Sequence, residues 1–344
     1  MLPKQINFFL ASDHYPKLFW EPAHQGSTTL TLGKKHSATF PFFYHMGASE
    51  SFTPAWIDAF PSCDLSSIGG LPRMMERSHF PDYDGWQRNV EKALAMIDGG
   101  HLQKVVLARK TILRFSSKLD PWTLFFRLRH NAALSTTRFC LQYAENRAFL
   151  GATPEKLFER TGLQLSTMAL AGTSKCSSDS AKDGVLSSVL LASRKKQREV
   201  DCVRDFIANT LSSLSQKLEI GTLEILKGTH VQHLHYPIRA LLKEGVSDEE
   251  LLAALHPTPA LGGLPRKEAL AFIEKHEPFT REPYGTPIGF IGQKKTELAV
   301  AIRSASIEDR ELHLFAGVGI VPGSDALEEW EELEDKISPF MGLL

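Results

Sequence analysis

Apolar and polar positions along this chain follow two periods, and the period changes from segment to segment. After Asp84, Trp86, Val90, Leu94 and Ile97 recur at helical spacing until Gly99-Gly100 ends the run, which predicts a helix. The stretch Lys104-Val-Val-Leu-Ala-Arg109 is apolar and β-branched and predicts a strand. Asp120-Pro121 reads as an N-cap followed by proline at the first helical position. Short strands are expected around 139–143, 149–153 and 156–160, with Thr161-Gly162 as a turn. Residues 185–214 read as one long helix, and shorter helices are expected at Asp248–Leu255 and 266–275. Segments 288–291, 297–307 and 311–318 read as an antiparallel meander with Glu308-Asp309-Arg310 as a turn, and a helix over 327–341 closes the chain. The first eighty or so residues are rich in Phe, Pro, Ser and His, have weak periodicity, and suggest irregular strands and loops. Strands and helices mix without βαβ alternation and no linker divides the chain. The expected class is therefore α+β: a single large domain of antiparallel sheets packed as a sandwich with helices outside.

Composition narrows the functional classes. With 344 residues the chain can bury a sizeable core, and 42% hydrophobic and 23% charged residues are the proportions of an ordinary globular protein. A formal net charge of −1 supplies no global field toward nucleic acid or an anionic membrane. An anionic substrate must therefore be caught by a local cluster of cations. Cys63, Cys140, Cys176 and Cys202 are scattered without a CxxC pair, as expected for reduced thiols in a cytoplasmic protein. Asp13, His14 and Lys17 interrupt the N-terminal stretch where an apolar signal core would continue, and no run is long enough to cross a bilayer.

The chemistry-bearing residues concentrate in the last third. Leu314-Phe-Ala-Gly317-Val-Gly319-Ile-Val-Pro-Gly323-Ser-Asp is a glycine-rich run that leaves a strand and opens a helix, where backbone amides can face an anion. Taken alone, a structural turn explains it as well. Glu328, Glu329, Glu331 and Glu332 crowd the closing helix, with Glu329 and Glu332 on one face at i,i+3. Such a cluster is either a solvated acidic face or one compensated by a cation, and Lys336 is spaced to pair with Glu332. Oxygen donors without Cys or His favour magnesium over zinc. No phosphate-loop, dinucleotide-loop or nucleophile-elbow spacing occurs.

These signals gain meaning from their order. Lys104-Val-Val-Leu-Ala-Arg109, Gly151-Ala-Thr-Pro-Glu155, Ala169-Leu-Ala-Gly-Thr173, His256-Pro-Thr-Pro-Ala260, Ala301-Ile-Arg303-Ser-Ala305 and Phe315-Ala-Gly-Val-Gly-Ile-Val-Pro-Gly-Ser324 resemble, in sequence and succession, the blocks of the chorismate-utilising enzymes. The resemblance runs from about residue 84 to the end. It implies one domain with 1–83 as a divergent N-terminal part and 84–344 as the chorismate-binding catalytic region. It further implies Mg2+ held by Glu199 and Glu332, with Glu329 beside the metal or its waters. Arg303 and Lys336 match positions that hold substrate carboxylates, and Thr173, His256 and the amides of a Gly317–Gly319 turn would complete the substrate site.

Within the family, Lys104 stands where isochorismate and salicylate synthases carry a general base, whereas aminating members usually carry glutamine. A free lysine has a pKa of ~10.4, so that role asks for desolvation or neighbouring cations. Glu155 matches the general acid that protonates the departing C4 hydroxyl, and Ala171 replaces the nucleophilic lysine of aminodeoxychorismate synthases. The implied reaction is attack of water at C2 with loss of the C4 hydroxyl, giving isochorismate. Salicylate synthase, anthranilate synthase component I and a degenerate, non-catalytic ligand-binding relative stay open as alternatives. The sequence departs from the family pattern after Thr173, where Ser174-Lys175-Cys176 replaces an arginine-containing loop and Lys175 is the candidate substitute. It departs again in Lys195-Lys-Gln-Arg-Glu199-Val200, which lacks the usual Asp and His and suggests weaker metal binding. The small-molecule substrate is the only partner implied, with no nucleic acid or membrane. Monomer and homodimer, and quinone, siderophore or salicylate pathways, are not distinguished.

Overall fold

The computed structural model describes residues 69–344 apart from 282, 293 and 294, together with the backbone of four short strands before them. The expected loops and strands of the first eighty residues otherwise lie outside the described residues, as does Cys63.

The larger sheet has nine strands. In spatial order they are β1 (Phe8–Phe9), β2 (Lys17–Glu21), β7 (Thr137–Ala144), β8 (Arg147–Thr153), β17 (Ser304–Glu308), β18 (Glu311–Ile320), β6 (Lys104–Phe115) and β14 (Gly263–Leu264), with β5 (Met74–Phe80) also paired to β6. The smaller sheet has seven: β11 (Ser215–Ile220), β13 (Val231–Leu242), β10 (Gln164–Lys175), β9 (Lys156–Thr161), β16 (Lys295–Val300) and β15 (Pro287–Ile291), with β12 (Glu224–Lys227) on β13. A separate ribbon pairs β3 (Phe40–His45) with β4 (Ala48–Phe52). Among the described residues the helices are α1 (Tyr83–Asp98), α2 (Pro121–Asn131), α3 (Ser180–Ala192), α4 (Arg194–Leu214), α5 (Asp248–Leu255), α6 (Arg266–His276) and α7 (Ala326–Met341). All strand pairings are antiparallel, as the α+β sandwich reading expected.

Alternation along β6 and β18 separates the two faces of the larger sheet. Val105, Leu107, Val318 and Ile320 face outward and pack with Trp86 of α1, Leu124 of α2 and Leu333, Ile337 and Phe340 of α7. Each such side chain contributes roughly 1.5–3 kcal/mol by leaving water. The opposite face turns inward, where Ala108 and Phe315 join Phe158 and Leu298 of the smaller sheet and Val203 and Ile207 of α4. Lys104, Gly317 and Gly319 belong to this inner face, since Gly317 lies opposite Ala108 and Gly319 opposite Val106.

Two of the passages of the chain between the sheets lie side by side. Pro154-Glu155 leads from β8 to β9, and residues 301–303 lead back from β16 to β17. The crossings are tied together: the Thr153 hydroxyl donates to the Val300 carbonyl at 2.6 Å, the Val300 N–H to the Glu155 carbonyl at 3.0 Å, and the Ala152 N–H to the Arg303 carbonyl at 3.1 Å.

Two expectations from periodicity need correction. The strand expected over 297–307 is two strands in different sheets, because Arg303 takes φ 50° and turns the chain between them. A non-glycine residue there stores on the order of 1–3 kcal/mol of strain. The expected meander is consequently split, with β15–β16 in the smaller sheet and β17–β18 in the larger. The helix expected over 185–214 is α3 followed by α4, because Ser193 leaves helical geometry and its hydroxyl caps α4 by accepting from the Lys196 N–H at 3.4 Å.

Gly151 sits below the second crossing, where an added Cβ would lie 2.7 Å from Cζ of Phe139 and 3.0 Å from the Arg303 carbonyl oxygen. Gly151→Ala should therefore cost about 1–3 kcal/mol of stability, read as a lower denaturant midpoint at unchanged slope.

Candidate active site

The inner face of the larger sheet, the two crossings and one face each of α4 and α7 converge on one charged centre. Lys104 begins β6 and is 1% exposed, and its Nζ has no hydrogen-bond partner. Its ionic neighbour is Glu199 of α4, whose Oε1 is 3.5 Å away. Room for this pair exists because the floor opposite is backbone: a Cβ on Gly319 would fall 2.6 Å from Glu199 Oε1 and 2.7 Å from Lys104 Cε. Gly317 and Gly319 thus lie within β18 rather than in the turn expected from sequence, and the turn follows at 321–325.

Glu155, at the first crossing, is 5% exposed. Burial pushes its carboxyl up to about 7, although Lys104, Arg303, Lys336 and a hydrogen bond from the Thr258 hydroxyl all pull it down. One acid therefore faces three cations and remains protonatable near neutrality.

Arg303, at the second crossing, is buried and senses Tyr284, Glu332 and Glu155. Its Nη2 lies 3.3 Å from Nε2 of His233, whose Nδ1 lies 3.1 Å from the Thr173 hydroxyl. Burial, reinforced by Arg303 and Lys336, holds His233 well below the usual histidine range, so the ring is neutral. Thr173 reaches this chain of contacts past a bulge at Gly172, which has φ 68°. Tyr284 closes the same side, its hydroxyl pushed up to about 12 by burial.

Helix α7 supplies the acidic wall. Its period places Leu333, Ile337 and Phe340 in the core and Glu329, Glu332 and Lys336 on the face toward the site. Glu328 and Glu331 are exposed, so the acidic run divides into two solvated and two enclosed members. Glu332 Oε1 accepts from Lys336 at 2.7 Å and Oε2 pairs with Lys196. Burial opposes its ionisation, yet Lys336 and Lys196 hold its carboxyl well below the ordinary range. Lys336 also donates to the Gly317 carbonyl at 2.9 Å. Glu329 pairs with Lys195 at 2.9 Å, while burial and the neighbouring Glu332 push its carboxyl up.

The outer side of α7 is clamped as firmly. Arg109 on β6 donates to Glu334 at 2.6 Å and lies 4.1 Å from the Trp330 ring centroid.

Of the residues singled out from sequence, Lys104, Glu155, Glu199, Arg303, Glu332 and Lys336 meet here directly or through one shared partner. His256 stands apart at the C-cap of α5, two residues before Thr258. Burial and Arg266 hold its ring down to about 3, and its Nδ1 is unpartnered. Lys175 is exposed and pairs with Asp335 at 3.1 Å on α7. Sequence reading missed Lys196, His233, Thr258 and Tyr284. The only local signals were the paired lysines of Lys195-Lys196 and the position of Thr258 within the His256 block.

Two carboxylates, Glu199, which is buried, and Glu332, which is largely enclosed, act on the same Lys196 and Lys336. Among the described residues no group of three or more His, Cys, Asp or Glu is arranged to hold a metal. The donor set nonetheless fits Mg2+, which takes one or two carboxylates and completes its shell with water and substrate oxygens. A cleft open to solvent, with about 580 Å³ of empty space counting its mouth, adjoins this centre through Arg303 and His233, lined also by Leu128, Ala152, Pro154 and Val231. It contains neither Lys104 nor Glu155 and so flanks the charged groups.

Comparison with known proteins follows the same outline. The family model for chorismate binding enzymes matches residues 65–344. Isochorismate synthase MenF of Escherichia coli (strain K12) is 37% identical over 284 residues, which are 81% of this chain and 65% of that protein. The chain therefore spans just under two thirds of that relative. The solved structure of MenF, the menaquinone-specific isochorismate synthase from Escherichia coli, superposes with a TM-score of 0.75 at 36% identity, covering 85% of this chain and 66% of that one. DhbC from Bacillus anthracis superposes with a TM-score of 0.82 over 98% of this chain and 96% of its own, and at 24% identity it shows the fold alone.

The raised carboxyl of Glu155 has a thermodynamic signature. The folded state binds this proton more tightly than the unfolded chain, so stability falls as pH rises from about 4.5 through about 7. In chelator and without ligand, wild type should lose up to about 3 kcal/mol relative to Glu155→Gln across that window, measured by denaturant unfolding at each pH.

Proposed function

Because the chain belongs to the chorismate binding enzyme family, we propose that it is an isochorismate synthase, isomerising chorismate to isochorismate in the presence of magnesium. The observation that carries this reading is one enclosed centre holding a buried amine without a hydrogen-bond partner, Lys104, and an acid raised to about 7, Glu155. Opposed in this way, they are the base and acid that an exchange of hydroxyl groups across a ring requires.

Chorismate is a dianion, and Arg303 and Lys336 are the buried cations placed to hold its carboxylates. The guanidinium suits two oxygens at once. Glu199 and Glu332 would hold Mg2+, with Glu329 beside its waters, and the ion when bound supplies a Lewis acid that makes the ring carboxylate a better electron sink. Lys104 takes a proton from water as its oxygen bonds to C2. Both ring double bonds shift by one position along the ring, the C4–O bond breaks, and the C4 hydroxyl departs as water with the proton that Glu155 gives up. Atoms balance: one water enters, one leaves, and the two groups exchange protonation states before resetting. Gly317 and Gly319 provide the flat floor, and Thr173 and His233 brace Arg303. His256 acts through the segment that carries Thr258, and Thr258 orients Glu155.

Ala171 leaves no amine at the position where aminodeoxychorismate synthases carry a nucleophile, which supports water as the incoming group. We place the enzyme in the cytoplasm, a reading that the free thiols of Cys140, Cys176 and Cys202 support. Among the described residues no helix is long and apolar enough to cross a membrane.

Chromatography of chorismate incubated with protein and Mg2+ should show isochorismate. Salicylate with pyruvate, or anthranilate on adding ammonium, would reject the assignment. Lys104→Ala and Glu155→Gln should each lower kcat by about 10²–10⁴-fold with the fold retained. Wild-type turnover in both variants would sink the mechanism. Turnover should also decline as pH rises above about 7, where Glu155 loses its proton.

A further inference from the structure

Helix α4 places Lys196 one turn before Glu199, so both side chains project from one face of the helix toward α7. There Lys196 takes Oε2 of Glu332 while Lys336 takes Oε1 at 2.7 Å, leaving neither oxygen of that carboxylate without an ammonium. Lys196 also feels the charges of Glu199 and Glu329. Its backbone is wedged against the bulge of β10: a Cβ on Gly172 would lie 3.1 Å from both Cβ and the carbonyl oxygen of Lys196. The ammonium can leave Glu332 by rotation of the side chain while the backbone stays packed against the bulge.

We propose that Lys196 is a built-in competitor for the divalent cation, holding the carboxylate of Glu332 so that the ion binds only when the ammonium is displaced. The inference rests on the reading that Glu199 and Glu332 hold Mg2+, and it goes beyond that reading by assigning the affinity of the site to a residue that is not a ligand. The two cations cannot share the site at low cost. A unit charge and a dication about 5 Å apart at an effective dielectric of about 20 repel strongly enough to weaken binding by well over tenfold. The lysine therefore keeps the acidic wall neutralised before the ion arrives and sets a high threshold for its binding. Glu329 is paired instead with Lys195 at 2.9 Å.

The test uses the full chain without substrate and Mn2+ as a paramagnetic probe, with free ion counted by electron paramagnetic resonance and specificity checked by displacement with Mg2+. Lys196→Met keeps the length of the stem and removes the charge, while Lys336 still pairs with Glu332. Lys196→Arg keeps the charge, and Lys196→Gln serves if the methionine variant does not fold. Dissociation constants should fall at least about tenfold in the neutral variants and stay within about threefold of wild type in Lys196→Arg. Equal or weaker binding in folded neutral variants would overturn the role of Lys196 and leave the magnesium site intact. Absence of Mn2+ binding in every protein, at concentrations up to tens of millimolar, would overturn the site and this inference together.

Discussion

Three hydrogen bonds join two neighbouring places where the chain passes from one sheet to the other, and the charged centre is built around them. The Thr153 hydroxyl and Ala152 amide on one crossing are satisfied by the Val300 and Arg303 carbonyls on the other, and the Val300 amide by the Glu155 carbonyl. Backbone groups at a sheet-to-sheet seam have no ladder of their own and must find partners or cost stability. Pairing the crossings with each other solves this, and it fixes Glu155 and Arg303 relative to one another. The left-handed backbone of Arg303 is the strain that this arrangement tolerates. An acid and a cation mounted on irregular segments thus acquire the rigidity of the sheets on either side.

Around that seam, charge is arranged so that each carboxylate meets an ammonium, and Lys104 alone of these ammoniums makes its ion pair without a hydrogen bond. Glu332 stands between Lys196 and Lys336, Glu329 meets Lys195, and Glu199 meets Lys104. Buried ion pairs stabilise little once desolvation is counted, so such a set is better explained by what it holds ready than by stability. Stability comes from the other side of α7, where Trp330 meets His79 and Tyr83 edge-on and Trp86 at a tilt, and Arg109 lies against it. The helix is pinned by aromatic packing on one side so that it can present carboxylates on the other.

Much of this was legible before any coordinates. Alternation and helical spacing placed β6, α1, α5 and α7 within a residue or two at most termini. The i,i+3 relation of Glu329 and Glu332 put both on the enclosed face of α7. Periodicity could not show that 297–307 changes sheets, since an apolar strand entering one core and another entering the next read alike. Nor could it show the break at Ser193, because a serine fits the polar face of a helix as well as a cap. Lys196 escaped notice for a different reason. Its partner Glu332 lies 136 residues away on another helix, and only the tertiary fold makes a surface-type lysine into a neighbour of the acidic wall. His233 was hidden in the same way, between Thr173 and Arg303.

The contacts of His233 also determine where its proton lies. A guanidinium has no lone pair to offer, so Nε2, facing Arg303, must be the accepting nitrogen of the neutral ring. Nδ1 then carries the hydrogen and donates it to the oxygen of Thr173. With that oxygen already accepting, the hydroxyl hydrogen of Thr173 is free to turn toward whatever acceptor lies beside it. A single imidazole tautomer, set by an arginine at the crossing between the sheets, thereby decides that a threonine on β10 will act as a donor.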